Sequence, residues 1–457
     1  MGTMNINMEV CLEMNLGQQV EQFKVTPARL RGGQRGFAGF YCACYDVDAS
    51  YGMFVIPNDK LKVFVFNDKG EILWRREDGV MPGPPWYTYR ALDMDGDGID
   101  ELYFVTTIDP EHPFKLSGFV LQRIDIMTGE VTGQWPWPHK QGNRKSLSFT
   151  FRNHITGGYV HGKPVLVTVQ GTYEDMYFQA WNPDMSIRWE KDILLSDPGA
   201  RGSHSYPVVD INGDGVDELQ WGERSISFDD GHELFCIERD SWRGHSDQCQ
   251  PVWNEERREW TIYINRETDE DQGPRVGIYD SKGQPIWTAL ESGHIHKGWT
   301  GRIGENGELV SIACGIKGQM KDTVGRYYTG VTEHAFDAMT GKEIKYPFSV
   351  FDTAPVDVSG DGLHEILRGV AEGKTELLDR KGNVIREMGG RVAMASKILD
   401  YPGEQVMTYH SDGFLRFWRD TNAVDSERAL LRYSNPFYRA NQYSRTVEGN
   451  ICMLGGI

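Results

Sequence analysis

Phe66-Asn67-Asp68-Lys69-Gly70, leading on to Trp74, is one copy of a pattern that runs through the chain: an apolar strand, a short Asp/Asn/Gly turn, and a second strand that often carries Trp. The same arrangement recurs at Ile124-Asp125 with Thr128-Gly129 before Trp135, and at Trp181-Asn182-Pro183-Asp184 before Trp189. Tyr279-Asp280-Ser281-Lys282-Gly283 before Trp287, Phe336-Asp337 with Thr340-Gly341, and Leu378-Asp379-Arg380-Lys381-Gly382 continue it. Phe417-Trp418-Arg419-Asp420 is a further copy, and Phe235 to Asp240 is a weaker one in the widest gap. Gly and Asn accept the positive φ of tight β-connections, so each copy reads as a hairpin. Eight turns, spaced roughly 40 to 60 residues apart, have the period of a four-stranded propeller blade. The fold class expected is therefore all-β: a β-propeller of seven or eight blades, with residues 1–457 as one domain. The repeats are expected to fill about 45–424, with the terminal segments closing or covering the ring.

Composition agrees with this. Apolar residues make up 39% of the 457 and aromatics 12%, enough for a large core, and 52 glycines supply the turns. Apolar runs such as Lys62 to Phe66 and Pro164 to Val169 show strand patterning, with little sustained helical periodicity. A net charge of −18 argues against a nucleic-acid surface and requires any polyanionic ligand to meet local cations. No apolar run is long enough to span a bilayer, and the first residues lack the features of a leader peptide, so neither is expected. Seven cysteines, an odd number, argue against a disulfide framework.

A second motif precedes some of the hairpins, at Asp93 to Leu102, Asp210 to Leu219 and Asp357 to Ile366, each spaced D-x-x-G-D-G-x-x-E. Alternating carboxylates and glycines suit a calcium loop, although the bidentate Glu of an EF-hand is missing and a strand follows. The other reading is a self-bonding turn that sets the register of each blade.

Two regions carry polar residues that a blade does not need. One comprises Trp135 to His139 and Arg152-Asn153-His154; the other runs from Arg201 through His204, Tyr206 and Pro207 to Arg224. Loops entering the inner strands of a propeller crowd around its axis, so side chains from successive blades can converge there. A separate set, His245 and Cys249 with His294 and His296, offers three imidazoles and a thiolate, a closed donor set for structural zinc, with Cys236 as a substitute for Cys249.

The stretches RNHITGG from Arg152, GARGSHSYPVVDINGDGVDELQWGER from Gly199, GHSDQCQPVWN from Gly244 and GHIHKGWTGRIG from Gly293 resemble the ulvan lyases of polysaccharide lyase families 24 and 25. Those are secreted β-propellers that cleave rhamnose-uronate polysaccharides by β-elimination. The resemblance implies catalytic roles for His154, Tyr206 and Arg224, with His139 as a second histidine, and an acidic polysaccharide as partner. Arg224 would neutralise the uronate carboxylate, and Tyr206 and His154 would share the proton transfers. Arg152, Asn153, Arg201, His204, Lys297 and Arg302 are the expected substrate-binding residues. The resemblance also implies a secreted or periplasmic location, which the missing leader leaves open to a cytoplasmic one, and a monomer is expected. Two other functions compete. One is a rhamnogalacturonan lyase, resembling an eight-bladed propeller with calcium loops; the other is a non-catalytic, integrin-like cation-binding propeller.

Overall fold

The computed structural model describes residues 5–42, 59–80, 89–115, 118–137, 152–267, 273–321, 326–369, 374–442 and 452–457. Eight four-stranded antiparallel sheets follow one another around a ring. Blades 1 to 7 occupy 22–78, 89–136, 153–193, 208–236, 246–289, 294–344 and 353–387. Blade 8 takes three strands from 391–420, and its outer strand is Met8–Asn15 from the other end of the chain, antiparallel to Phe414–Asp420. The ring is thus closed by hydrogen bonds between strands some 400 residues apart, which cover the edge of Phe414–Asp420.

The count of eight stands, but two turns are corrected. The fourth hairpin is Ser227 to Gly231, where the Gly231 amide donates to the Ser227 carbonyl; Phe235 lies in the outer strand beyond it. Asp420 begins no hairpin, because its blade is completed by Met8–Asn15. The first blade also starts earlier than expected, at Gln22.

Each turn glycine has a packing role. In the outer strands, Trp74, Trp189 and Trp287 donate their indole N–H to the carbonyls of Ile126, Phe228 and Ala338 in the next blade. Their rings lie where a Cβ on Gly129, Gly231 or Gly341 would stand, with ring atoms 2.8, 2.7 and 2.7 Å from it. The recurring turn glycine and Trp of the sequence are therefore the two halves of a clasp between neighbouring blades.

The Asp/Gly motifs connect the first and second strands of blades 2, 4 and 7 and are held by hydrogen bonds both within the loop and to its neighbours. Asp93, Asp210 and Asp357 each accept from the amides of the two motif glycines. Glu101, Glu218 and Glu365 accept from the amide of the second motif residue. The eighth residue reaches backwards: Asp100, Asp217 and His364 accept from the amides of Arg29, Tyr159 and Arg302 in the preceding blade. The motif locks each turn and ties it to its neighbour.

The C-terminal tail lies across this same end of the ring. Helix α1 (Glu427–Ser434) starts at a Ser426 cap that accepts from the Ala429 amide, and α2 (Pro436–Asn441) starts at an Asn435 cap. Arg432 is buried against Asp357 at 2.9 Å, Tyr438 donates to Glu404, and Asn441 bonds both backbone groups of Val208. The opposite end, where chains enter the inner strands and where second strands turn into third, is left to the polar residues.

Candidate functional site

Blades 3 to 6 contribute to one cluster at that entry end. Glu267 directly follows the second strand of blade 5 (Glu259–Arg266). Its Oε2 lies 3.2 Å from His245 Nε2 and 3.5 Å from His204 Nε2; its Oε1 lies 3.6 Å from His294 Nε2 and 3.8 Å from His296 Nδ1. His204 precedes blade 4, His245 precedes blade 5, and the other two open the inner strand of blade 6 (His294–Arg302). Burial pushes the Glu267 carboxyl upward, but the surrounding imidazoles outweigh it and hold the group well below the usual carboxylate range.

Bulges aim two of these groups. The ladder of blade 6 skips from Ile295 to Lys297 and that of blade 5 from Ser246 to Gln248, so His296 and Asp247 are the extra residues. Asp247 Oδ1 lies 3.7 Å from His204 Nδ1. The other nitrogen of His204 meets the phenol of Tyr173 at 2.9 Å, and the Tyr173 ring packs against His245. Tyr173 sits in the loop between the second and third strands of blade 3, half-buried, with the Arg152 guanidinium 5.6 Å from its ring centre. On the far side, Tyr328 of an inserted hairpin (Gly318–Lys321 with Arg326–Thr329) packs on His296 and Phe351. Lys297 lies over the rings of Tyr328 and Phe351 and pairs with Asp352 at 2.6 Å.

Among the described residues three triads bring one ligand atom each to within 4.8 Å of one another: two at this mouth, His204, His245 and Glu267, and Glu267, His294 and His296, and a third, Asp93, Asp95 and Glu101, in the Asp/Gly motif of blade 2. Imidazoles and a carboxylate suit zinc or another first-row transition ion. Of the expected zinc ligands, His245, His294 and His296 come together and Cys249 does not. Cys249 is fully buried in an apolar cluster with Ile237, Ile262 and Ile264, where burial drives its thiol well above the ordinary value. Cys236 belongs to none of the triads, and burial pushes its thiol up to about 11. Glu267 stands in place of the thiolate.

Of the other expected residues, His154 and Tyr206 are neighbours inside the core, and the rest lie apart from them. Tyr206 is 2% exposed within the apolar core of blades 3 and 4. The His154 ring packs edge-on against Tyr206 and Trp221, its Nε2 is 3.3 Å from Thr172 Oγ1, and burial with the Arg152 charge lowers its pKa far below the ordinary value. Arg224 is buried, pairing with Glu233 and donating to the carbonyls of Pro198 and Ala200. Arg201 clamps the carbonyls of Glu174, Leu194, Asp197 and Gly199. Asn153 accepts from the Trp137 indole. Arg302 belongs to the opposite end, paired with Glu255. His139 lies outside the described residues. Glu267 and Tyr173 were not singled out by motif, since a Glu closing a strand and a Tyr in a polar turn are common in any β protein.

These features define an eight-bladed β-propeller with a histidine–carboxylate cluster at one mouth of the ring. Its fold is similar to that of the exotype rhamnogalacturonan lyase YesX, with a TM-score of 0.72 and 17% identity over 96% of this chain and 80% of that one. It is likewise similar to rhamnogalacturonan lyase YesW (0.70, 16%, 98% and 81%) and to the Bacillus licheniformis rhamnogalacturonan lyase PL11 (0.71, 16%, 97% and 81%). No protein-family model and no curated protein matches the chain in sequence.

Proposed function

We propose that the protein is a polysaccharide lyase that cleaves a rhamnose-uronate polysaccharide by β-elimination at the mouth lined by Tyr173, His204 and Glu267. The observation that carries this is the 2.9 Å contact between Tyr173 Oη and His204 Nε2, beside a cluster that can hold positive charge. Tyr173 is half-buried whereas His204 is 1% exposed, so the phenol meets substrate and the imidazole stands behind it. His204 accepts the phenolic proton, with the Asp247 carboxylate near its other nitrogen favouring the cation that forms. The phenolate removes the C5 proton of the uronate, the electron pair forms the C4–C5 double bond, and the C4–O4 bond breaks. The proton then held by Tyr173 passes to O4, and His204 returns its own to the phenol.

The C5 proton becomes acidic only when the neighbouring carboxylate is neutralised. Lys297, on the aromatic shelf of Tyr328 and Phe351, is a protein cation beside the cluster, as is Arg152 against Tyr173. A divalent ion bound by Glu267, His294 and His296, with zinc the natural candidate, would supply further positive charge there. The likeness to three rhamnogalacturonan lyases favours galacturonate over the uronates of ulvan.

The test pairs an assay of unsaturated uronate product on rhamnogalacturonan, ulvan and alginate with two conservative variants. Tyr173→Phe is expected to lower turnover by roughly 10²-fold or more while melting as wild type. Tyr206→Phe is expected to lose about 1 kcal/mol of stability and to keep most of its turnover. The opposite pattern would return the acid–base role to Tyr206 and His154, and absence of unsaturated product on all three glycans would end the lyase reading.

A further inference from the structure

Between the C-terminal tail and the loops leaving the inner strands lies a groove of about 1820 Å³, at the end of the ring opposite Tyr173. Among the described residues no histidine lines it, so it lacks the Tyr–His pair of the chemistry above. Ten lysines and arginines line it against six carboxylates, the reverse of the balance in a chain of net charge −18. Three of the ten, Arg29, Lys397 and Arg432, pair with Asp93, Asp425 and Asp357, which stand behind the lining. Arg302 and Arg428 share one carboxylate, Glu255, at 2.6 and 2.7 Å. Arg35 and Arg439 donate to the carbonyls of Lys397 and Tyr433, bonds that neutralise nothing. Burial and then the Arg428 charge pull Arg302 down to about 10. Guanidiniums crowded in this way are relieved by an added anion.

One wall of the groove is aromatic. Trp253 and Trp260 meet nearly perpendicularly at 5.4 Å, and Trp260 packs on Phe437 of α2 at 4.8 Å. Both indoles are half-buried. Flat aromatic faces take the C–H faces of sugar rings, and planar guanidinium forks take carboxylates. A neutral glycan would not use the arginines, and an inorganic anion would not use the indoles.

We propose that this groove is a second, non-cleaving site that holds a uronate-rich glycan at the face of the ring opposite the proposed centre. The choice of uronate rests on the proposed function, but the binding is independent of catalysis. Affinity electrophoresis of the full chain, in gels containing polygalacturonate, galactan or dextran sulfate, tests it. Wild type is expected to be retarded by polygalacturonate and not by galactan. Arg258→Glu with Arg439→Glu, both at exposed positions in the lining, and separately Trp260→Ala, are expected to weaken retardation roughly tenfold or more, with melting curves confirming that each is folded. Tyr173→Phe, at the other mouth, is expected to be retarded as wild type. The proposal is overturned if wild type is not retarded, if the charge-reversed protein is retarded as wild type, or if only Tyr173→Phe loses retardation. Equal retardation by dextran sulfate that ignores Trp260→Ala would overturn it too, as the mark of bare charge. Retardation with no unsaturated product would sink the lyase reading and leave the groove standing.

Discussion

Glu267 shows how a single side chain organises the site: four imidazoles converge on its two oxygens from chain positions spanning 204 to 296. An acceptor-only carboxylate at the centre of imidazoles suits a shared cation, and the burial of His245 and His296 beside it favours a cation held there, with His204 left to Tyr173. Purified protein is therefore expected to carry about one equivalent of a first-row transition metal by elemental analysis. Glu267→Gln should lose it, and Cys249→Ala should keep it while losing about 1 kcal/mol or more through the cavity left in its apolar cluster. Metal retained by the first variant and lost from the second would reinstate the thiolate. The three histidines other than His204 were legible as ligands from their clustering in sequence. Cys249 misled because spacing along a strand does not reveal a bulge, and the bulge at Asp247 lies between it and His245.

The elements of the ring are held together by the Trp–Gly clasp, and its energetics can be separated into backbone and packing. Gly231, at φ 74°, would place a Cβ 2.7 Å from the Trp189 ring, whereas Gly213, at φ 76°, has nothing within 4 Å. Both substitutions to Ala bear the left-handed backbone cost of about 1–2 kcal/mol. Only Gly231→Ala adds overpacking of about 1–3 kcal/mol. Chemical denaturation should find Gly231→Ala less stable than Gly213→Ala by that second amount; equal losses would mean the clasp contributes nothing. The hairpins were readable because turn chemistry is local. The turn at 227–231 was misplaced because Phe235 to Asp240 imitates the pattern with Phe, an acidic residue and Asp, and only strand pairing distinguishes them.

For the molecule as a whole, closure is the decisive interaction. Met8–Asn15 completes blade 8, and Met8, Met14 and Leu16 are buried by it. Deleting residues 5–16 would expose the edge of Phe414–Asp420, a row of unpaired amides and carbonyls prone to pairing with another chain. At about 1.5–3 kcal/mol per buried side chain, those three residues alone predict a loss of at least about 4 kcal/mol. Melting and light scattering should show a destabilised, self-associating protein. A monomer melting as wild type would show that the ring closes without its strap. No helix among the described residues is long and apolar enough to cross a membrane.

Sequence by itself determined the repeating unit and the all-β class and narrowed the ring to seven or eight blades, because strand alternation and turn residues act over a few neighbours. It also marked His204, His245, His294 and His296 as residues with chemistry to perform. Tertiary structure alone decided that these four share Glu267, that Tyr173 rather than Tyr206 stands at the opening, and that Arg224 and Arg201 spend their donors inside the protein. It also decided which terminus closes the ring and which covers one end of it. Those outcomes depend on loops from separate blades meeting at the mouth of a ring. Their meeting is set by ring closure and by bulges that re-aim single residues, neither of which leaves a period in the chain.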